Sequence, residues 1–263
     1  MPVTLKSRQQ LERLRDAGRL VAQTFAMLRK HIRPGITTAE LDVLAEDFIR
    51  SHGAEPVYKG YGGVPARRNR PGRQPFPATI CASVNDVICH GIPSRRQRLR
   101  EGDIIGIDIG VRYKGWVGDS CVTFPVGNVV ATTQRLLETT ERCLLLGIEQ
   151  ARSGNTLGDI GAAIQRYAEA QGFSVVREYT GHGVGRHLHE EPTVLHYGEP
   201  HTGRRLMSGM VFTIEPMVNA GGSGTRLDPD GWTVRTADGS LSAQFEHAIA
   251  ITDNGPLVLT LPD

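Results

Sequence analysis

An α+β fold with a pseudo-twofold axis is the class this sequence predicts, and three observations predict it. Helical stretches come in two pairs, and each pair is followed by β-rich sequence. The second pair repeats the punctuation of the first without a gap: Gly35 to Gly154, Thr37 to Thr156, Leu41 to Ile160, Phe48 to Tyr167 and Gly53 to Gly172 are all offset by 119 residues. Four carboxylates, Asp108, Asp119, Glu215 and Glu246, interrupt runs that otherwise read as buried strands. An offset kept across two helix boundaries points to an internal duplication. Two helices of similar length with ordinary start and stop signals would give the same pattern, and that alternative stays open.

The elements follow in order. Ser7, with Gln10 three residues on, opens the first helix as a capping box. Leu11, Leu14, Ala17, Val21, Phe25 and Leu28 keep helical spacing, and Pro34-Gly35 stops it. Thr37 and Glu40 form the next box, before a stripe of Leu41, Leu44, Ala45, Phe48 and Ile49 that Gly53 ends. Strand-like runs follow: ICASVNDVIC, DIIGIDIGV and WVGDSCVTFPV. A helix over 133–152 ends at Gly154; Thr156 with Asp159 opens another, whose Leu157, Ile160, Ala163, Ile164 and Tyr167 face one way until Gly172. The later strand-like runs are SVVREYT, MVFTIEPMV, WTVRT and AQFEHAIAIT. Turn-rich connectors lie at 60–77, 219–231 and Asp253-Asn254-Gly255. The expected organisation is one domain over residues 1–263, with halves of about 7–127 and 131–260.

Bulk properties narrow the class. The chain has 263 residues, 39% apolar and 22% charged, with a net charge of +2, so it carries no overall polyelectrolyte signature. No apolar run approaches the roughly 18 residues of a membrane span, and none is expected. MPVTLKSRQQLERLR has no apolar core followed by a cleavage site, so no signal peptide is expected. Cys81, Cys89, Cys121 and Cys143 form no CxxC pair, which predicts reduced thiols in a cytoplasmic protein. Two basic clusters, 66–73 and Arg95, Arg96, Arg98 and Arg100, read either as solvated loops or as phosphate-contacting surface.

Asp108 and Asp119 lie on runs joined at Arg112-Tyr113-Lys114-Gly115. A tight turn near Tyr113-Lys114 sets them opposite or diagonal across a hairpin. Period two puts Asp108 beside Ile104, Gly106 and Gly110, and the glycines leave space. Alone, this pair reads equally well as one hydrogen-bonded core aspartate and one turn aspartate. Glu215 in VFTIEP and Glu246 in QFEHAIAI shift the balance, as does His182 between two glycines. Buried carboxylates need a cation. One imidazole with several carboxylates is a hard donor set, suited to Mn(II), Fe(II) or Co(II) rather than to a thiolate-bound structural zinc. Bridging carboxylates can hold two such ions about 3.5–4 Å apart and acidify the water between them.

Five motifs in order, CHGIP, IDIG with GDS eleven residues on, GHGVGRHLHEEP, FTIEPMVNAG and SAQFEHAIAITDNG, together resemble type I methionine aminopeptidases, nearly end to end. The resemblance implies a pita-bread fold: two pseudo-symmetric αββ halves enclosing a dinuclear metal site. It implies a cytoplasmic metalloexopeptidase that removes the initiator methionine from nascent polypeptides whose second residue is small, with a metal-bridged hydroxide attacking the scissile carbonyl. By that resemblance Asp119 and Glu246 bridge two ions, Asp108 serves the second, and His182 and Glu215 serve the first. Glu215 also shuttles the proton, His90 contacts the scissile amide and His189 stabilises the oxyanion. Cys81, Phe76, Leu188 and Trp232 line the methionine pocket. The implied ions are cobalt, manganese or iron, with zinc or nickel as alternatives. The implied partners are nascent N-termini, with a transient ribosome contact and neither DNA nor membrane, for a monomer.

The sequence departs from that pattern in places. Arg73-Gln74-Pro75-Phe76-Pro77 stands where tyrosine and histidine are frequent, after an arginine-rich loop longer than usual. Gly110 replaces a frequent hydroxyl residue, so one hydrogen bond to the metal ligands is expected to be missing. His187 replaces a glycine and is expected to face solvent. Two other readings remain: a prolidase, which usually carries a further N-terminal domain, and a non-enzymatic RNA-binding member of the fold, which would lack metal ligands that are all present here.

Overall fold

The computed structural model describes residues 2–65 and 72–262. Arg67, Arg68 and Arg70 of the arginine-rich loop lie outside the described residues. The first part of the chain runs α1 (Arg8–Arg29), α2 (Thr38–Ser51), β1 (Glu55–Pro56), β2 (Ile80–Val84), β3 (Val87–Cys89), β4 (Ile104–Tyr113) and β5 (Trp116–Pro125). The second runs α3 (Ala131–Gln150), α4 (Leu157–Ala170), β6 (Ser174–Val175), β7 (Gly181–Gly183), β8 (Glu190–Val194), β9 (Val211–Ile214), β10 (Met217–Asn219), β11 (Thr225–Leu227), β12 (Val234–Thr236), β13 (Ser242–Gln244), β14 (His247–Thr252) and β15 (Gly255–Val258). The expected α+β order, helix pair then strands, twice over, is therefore the observed one.

The repeated punctuation has a physical basis. Helices α2 and α4 each span 14 residues, start and end 119 positions apart, and carry capping boxes at Thr37 and Thr156. Gly35 and Gly154 take φ of 93° and 96°, and Gly53 and Gly172 take 69° and 80°. These left-handed values are the ones glycine adopts without a Cβ penalty. Helix α3 sits two residues earlier than the expected 133–152, because its N-cap is Val130, whose side chain makes no cap hydrogen bond and so leaves no signal.

Strand β4 is central in the first sheet, with β5 along one edge and β2 then β1 along the other. Its Ile105, Ile107 and Ile109 pack on Val21, Leu28, Leu41 and Ile49 of the first helix pair. Its other face turns inward, and Ile104 there joins the core built by α3, α4 and β9. A third cluster, including Leu14, Trp116, Val184, Leu188 and Trp232, fills the space between. Strand β3 pairs with β12, which ties the two parts together through a small sheet.

Close approach of backbones holds this arrangement. A Cβ on Gly118 of β5 would lie 2.6 Å from the Ala17 carbonyl carbon and from the Gly18 nitrogen of α1. One on Gly18 would in turn lie 2.2 Å from the Leu259 carbonyl oxygen. Backbone cannot rotate away as a side chain can. Gly118→Val is therefore expected to lower stability by roughly 1–3 kcal/mol through overpacking, read as a fall in urea midpoint at unchanged slope. No helix among the described residues is long and apolar enough to cross a membrane.

Candidate metal centre

The β4–β5 hairpin places the first two carboxylates. Its two-residue turn is Lys114-Gly115, with φ of 49° and 76°, one position later than expected; both positive values suit a type I′ turn. The register pairs Asp108 with Cys121 and Gly110 with Asp119, so the two aspartates are diagonal neighbours on the inner face.

The glutamates are positioned differently from the expectation. They do not sit inside strands but where strands break. Glu215 separates β9 from β10, and Glu246 separates β13 from β14. Strand β9 pairs with β14 in one sheet and β10 with β13 in another, so this two-stranded ribbon bends from sheet to sheet. Ile214 faces His247 and Met217 faces Gln244, a register that sets Glu215 across from Glu246 at the bend. Pro216 has no N–H to continue the ladder. Glu246 is latched to β5, its N–H donating to the Cys121 carbonyl at 2.8 Å and its own carbonyl accepting from Ser120.

His182 lies in the short strand β7 rather than in a loop. Its flanking glycines serve close packing: a Cβ on Gly181 would meet the Thr213 oxygen at 2.4 Å, and one on Gly183 the Glu191 oxygen at 2.1 Å. His182 Nδ1 is 3.0 Å from the Gly183 carbonyl, which assigns the hydrogen to Nδ1 and leaves the Nε2 lone pair inward. Nε2 lies 3.5 Å from Asp119 Oδ2 and 3.6 Å from Glu215 Oε1. Donor atoms of Asp119, His182 and Glu246 all fall within 4.8 Å of one another.

This cluster is electrostatically incomplete as protein alone. Burial, then the charge of Asp119, pushes Asp108 and Glu246 well above the usual carboxylate range. Glu215 is raised by burial too, against the Thr213 hydroxyl that it accepts from at 2.7 Å. Burial lifts Asp119 to about 7. Among the described residues Glu246 Oε1 is buried without a hydrogen-bond partner, an arrangement that costs free energy unless something electropositive meets it. Crowded anionic oxygens, one unprotonated imidazole nitrogen and an orphaned oxygen fit a divalent cation.

The sequence from residue 12 to 253 matches the model of metallopeptidase family M24. The chain belongs to that family. It is 50% identical over 258 residues to methionine aminopeptidase 1 of Bacillus subtilis, covering 98% of this chain and 99% of that one. Its structure superposes on the methionine aminopeptidase of Rickettsia prowazekii with a TM-score of 0.93 at 44% identity, covering 99% and 100% of the two chains. The prolidase of Pyrococcus furiosus shares the fold alone, with a TM-score of 0.74 at 22% identity over 66% of that chain. This M24 peptidase therefore has the pita-bread fold, and it is a hydrolase, an aminopeptidase that uses a divalent metal.

One cavity of about 430 Å³ opens beside the carboxylates of this peptidase. All eleven side chains singled out in the sequence line it: Asp108, Asp119, His182, Glu215, Glu246, His90, His189, Cys81, Phe76, Leu188 and Trp232. Phe76 meets Trp232 edge-on at 5.3 Å, and the indole N–H donates to the Gln74 carbonyl at 2.9 Å. His90 takes φ of 56°, and burial with the nearby His189 and Arg73 pulls it down to about 4, so it stays neutral. His189 packs on His182 with ring centres 4.1 Å apart and planes tilted by 47°, and its Nδ1 lies 2.6 Å from the Tyr61 hydroxyl.

Sequence reading missed four residues here. Tyr61 orients His189. Arg73 stacks on Trp232 at 4.0 Å and donates to the Gly62 carbonyl, so the departure at 73 puts a guanidinium over the pocket wall. His196 accepts the Glu215 N–H at 3.1 Å. Tyr58 supplies the hydroxyl that Gly110 cannot, 2.5 Å from both Asp108 and Asp119. Tyr61 and Arg73 left a sequence signal, both inside the turn-rich connector at 60–77, whereas Tyr58 and His196 left none. His187 is exposed, as expected, and Arg98 is held by the Gly35 carbonyl.

Proposed function

We infer that the enzyme removes N-terminal methionine from polypeptides whose second residue is small, using two divalent cations. The observation that carries this reading is a juxtaposition in one cavity. Five metal-type donors crowd one wall, and Phe76, Cys81, Leu188 and Trp232 form an apolar slot beside them. An unbranched thioether side chain suits such a slot. The names and end-to-end identity of the relatives support the same substrate.

In this reading Asp119 and Glu246 would serve both cations, His182 and Glu215 would complete the first site, and Asp108 would complete the second. When bound, the cations acidify water and polarise the scissile carbonyl. The protein does the rest. Glu215 accepts the water's proton and returns it to the leaving amine. Donation from Tyr61 to Nδ1 leaves the His189 hydrogen on Nε2, available to the oxyanion. His90 contacts the scissile amide, and the substrate's free amine binds on the Asp108 side, which makes the enzyme an exopeptidase. Manganese, iron or cobalt suits the oxygen-rich set better than zinc or nickel. The same reading takes residues 1–263 as one catalytic domain with halves of about 7–127 and 131–260, working as a cytoplasmic monomer on nascent chains, with a transient ribosome contact.

A comparison of Met-Ala-Ser with Ala-Pro as substrates tests the assignment. Met-Ala-Ser should be cleaved after its methionine in the presence of Mn(II) or Co(II), turnover should vanish on chelation and return with metal, and Ala-Pro should be untouched. Preferred hydrolysis of Ala-Pro would replace the reading with a prolidase.

A further inference from the structure

Tyr58 sits where two aspartates and a glycine leave room for it. Its hydroxyl oxygen lies 2.5 Å from Asp108 Oδ1 and 2.5 Å from Asp119 Oδ1. The segment that carries it is tied down beside the site, since the Val57 N–H donates to the Gly110 carbonyl at 3.0 Å. Gly110 faces Asp119 in the hairpin register. A Cβ on Gly110 would lie 2.9 Å from Tyr58 Cε1 and 3.0 Å from its Cζ. Val57 Cγ2 would lie closer still, at 2.4 Å, so the space a side chain at 110 would take is filled by Val57 and the phenol together. Phe76 meets the ring edge-on at 6.5 Å, and Tyr58 is 8% exposed.

A phenol has one hydrogen and cannot donate to two carboxylates at once. It donates to one of them at a time, and one oxygen from each aspartate converges on it. The two oxygens of Asp119 are divided between these neighbours: Oδ2 turns to His182 Nε2 at 3.5 Å, and Oδ1 turns to Tyr58. The hydroxyl therefore sits on the Asp108 side of the cluster, away from His182.

We propose that Tyr58 is a positioning residue for the second cation site: its hydroxyl, admitted by Gly110, fixes the facing oxygens of Asp108 and Asp119. This rests on the two-cation reading above. An outer partner that orients metal-binding carboxylates typically contributes about 10–100-fold to affinity. Its effect here is local, so it should separate the two cation sites instead of weakening both.

The test is a titration of metal-stripped full-length protein with Mn(II), following bound metal by calorimetry and free Mn(II) by electron paramagnetic resonance. The parent should bind two ions per chain. Tyr58→Phe should weaken one of the two sites by about 10–100-fold and leave the other within about threefold. Tyr58→Ala combined with Gly110→Thr, which returns a hydroxyl to the same corner from β4, should recover the weakened site relative to Tyr58→Ala alone. Two sites of parental affinity in Tyr58→Phe would overturn the proposal, as would equal weakening of both, which would mark Tyr58 as general packing. A parent that binds fewer than two ions would overturn the two-cation reading and this inference with it, whereas failure in the variant alone leaves that reading standing.

Discussion

Exchanging Glu246 for glutamine is expected to abolish turnover and to reduce bound Mn(II) from two ions per chain to one or none. Glu246 is 2% exposed, sits at the ribbon bend and aims an oxygen without a partner into the cluster. An amide of the same shape keeps the packing and removes the charge that two cations would share. Loss of an outer partner costs about 10–100-fold, so loss of a bridging ligand should lower kcat/KM by about a thousandfold or more. Folding separates from function here by sign. Without metal the variant has one fewer crowded carboxylate and should unfold at a higher temperature than the metal-free parent. With metal the order should reverse, because only the parent gains binding free energy on loading. Parental activity in Glu246→Gln would remove Glu246 from the metal centre.

His189→Ala should behave in the opposite way on metal and in the same direction on rate. The ring lines the cavity, packed at a tilt against His182 and hydrogen-bonded to Tyr61, and no ligand role is assigned to it. Its removal should leave two ions bound with parental affinity. Loss of a single oxyanion donor costs about 10²–10³ in kcat, and KM for Met-Ala-Ser should change little. Tyr61→Phe should give a smaller fall in kcat, since the imidazole remains but its tautomer and orientation are no longer held. A variant that lost metal along with activity would move His189 from oxyanion stabilisation to ligation.

Legibility of the fold follows from how local its causes are. The capping boxes at Ser7, Thr37 and Thr156 are contacts within one turn, and all three are present as read from the chain. Period two in IDIG separates Asp108 from the isoleucines on either side of it, and the strand places them on opposite faces accordingly. Where no local signal exists, sequence and structure part. Val130 is not a recognisable cap, and α3 starts two residues before the position its spacing predicts. Glu215 and Glu246 looked like strand residues because their neighbours are strand-like; nothing in either segment announces that the ribbon changes sheets between them.

The site divides in the same way. Five donors, two histidines and four pocket residues were chosen by type, neighbours and motif, and the structure gathers all of them around one cavity. The roles of Tyr58, Tyr61, Arg73 and His196 arise from contacts with residues well beyond their own segments, such as Glu215 for His196 and Trp232 for Arg73. Tyr58 meets Asp108 across 50 residues and Tyr61 meets His189 across 128.

By itself, then, the sequence determined which residues are costly to bury without a cation, where helices start and stop, and which family's motifs the chain carries. Those properties belong to single residues and their near neighbours. Tertiary structure decided what surrounds the carboxylates: that a ribbon bends to bring Glu215 opposite Glu246, that Asp119 turns one oxygen to His182 and the other to Tyr58, and that the empty side of Gly110 is filled by Val57 and the Tyr58 phenol from another segment. Hydrogen bonding and packing act over a few ångströms in space whatever the separation along the chain, and only the fold sets that distance.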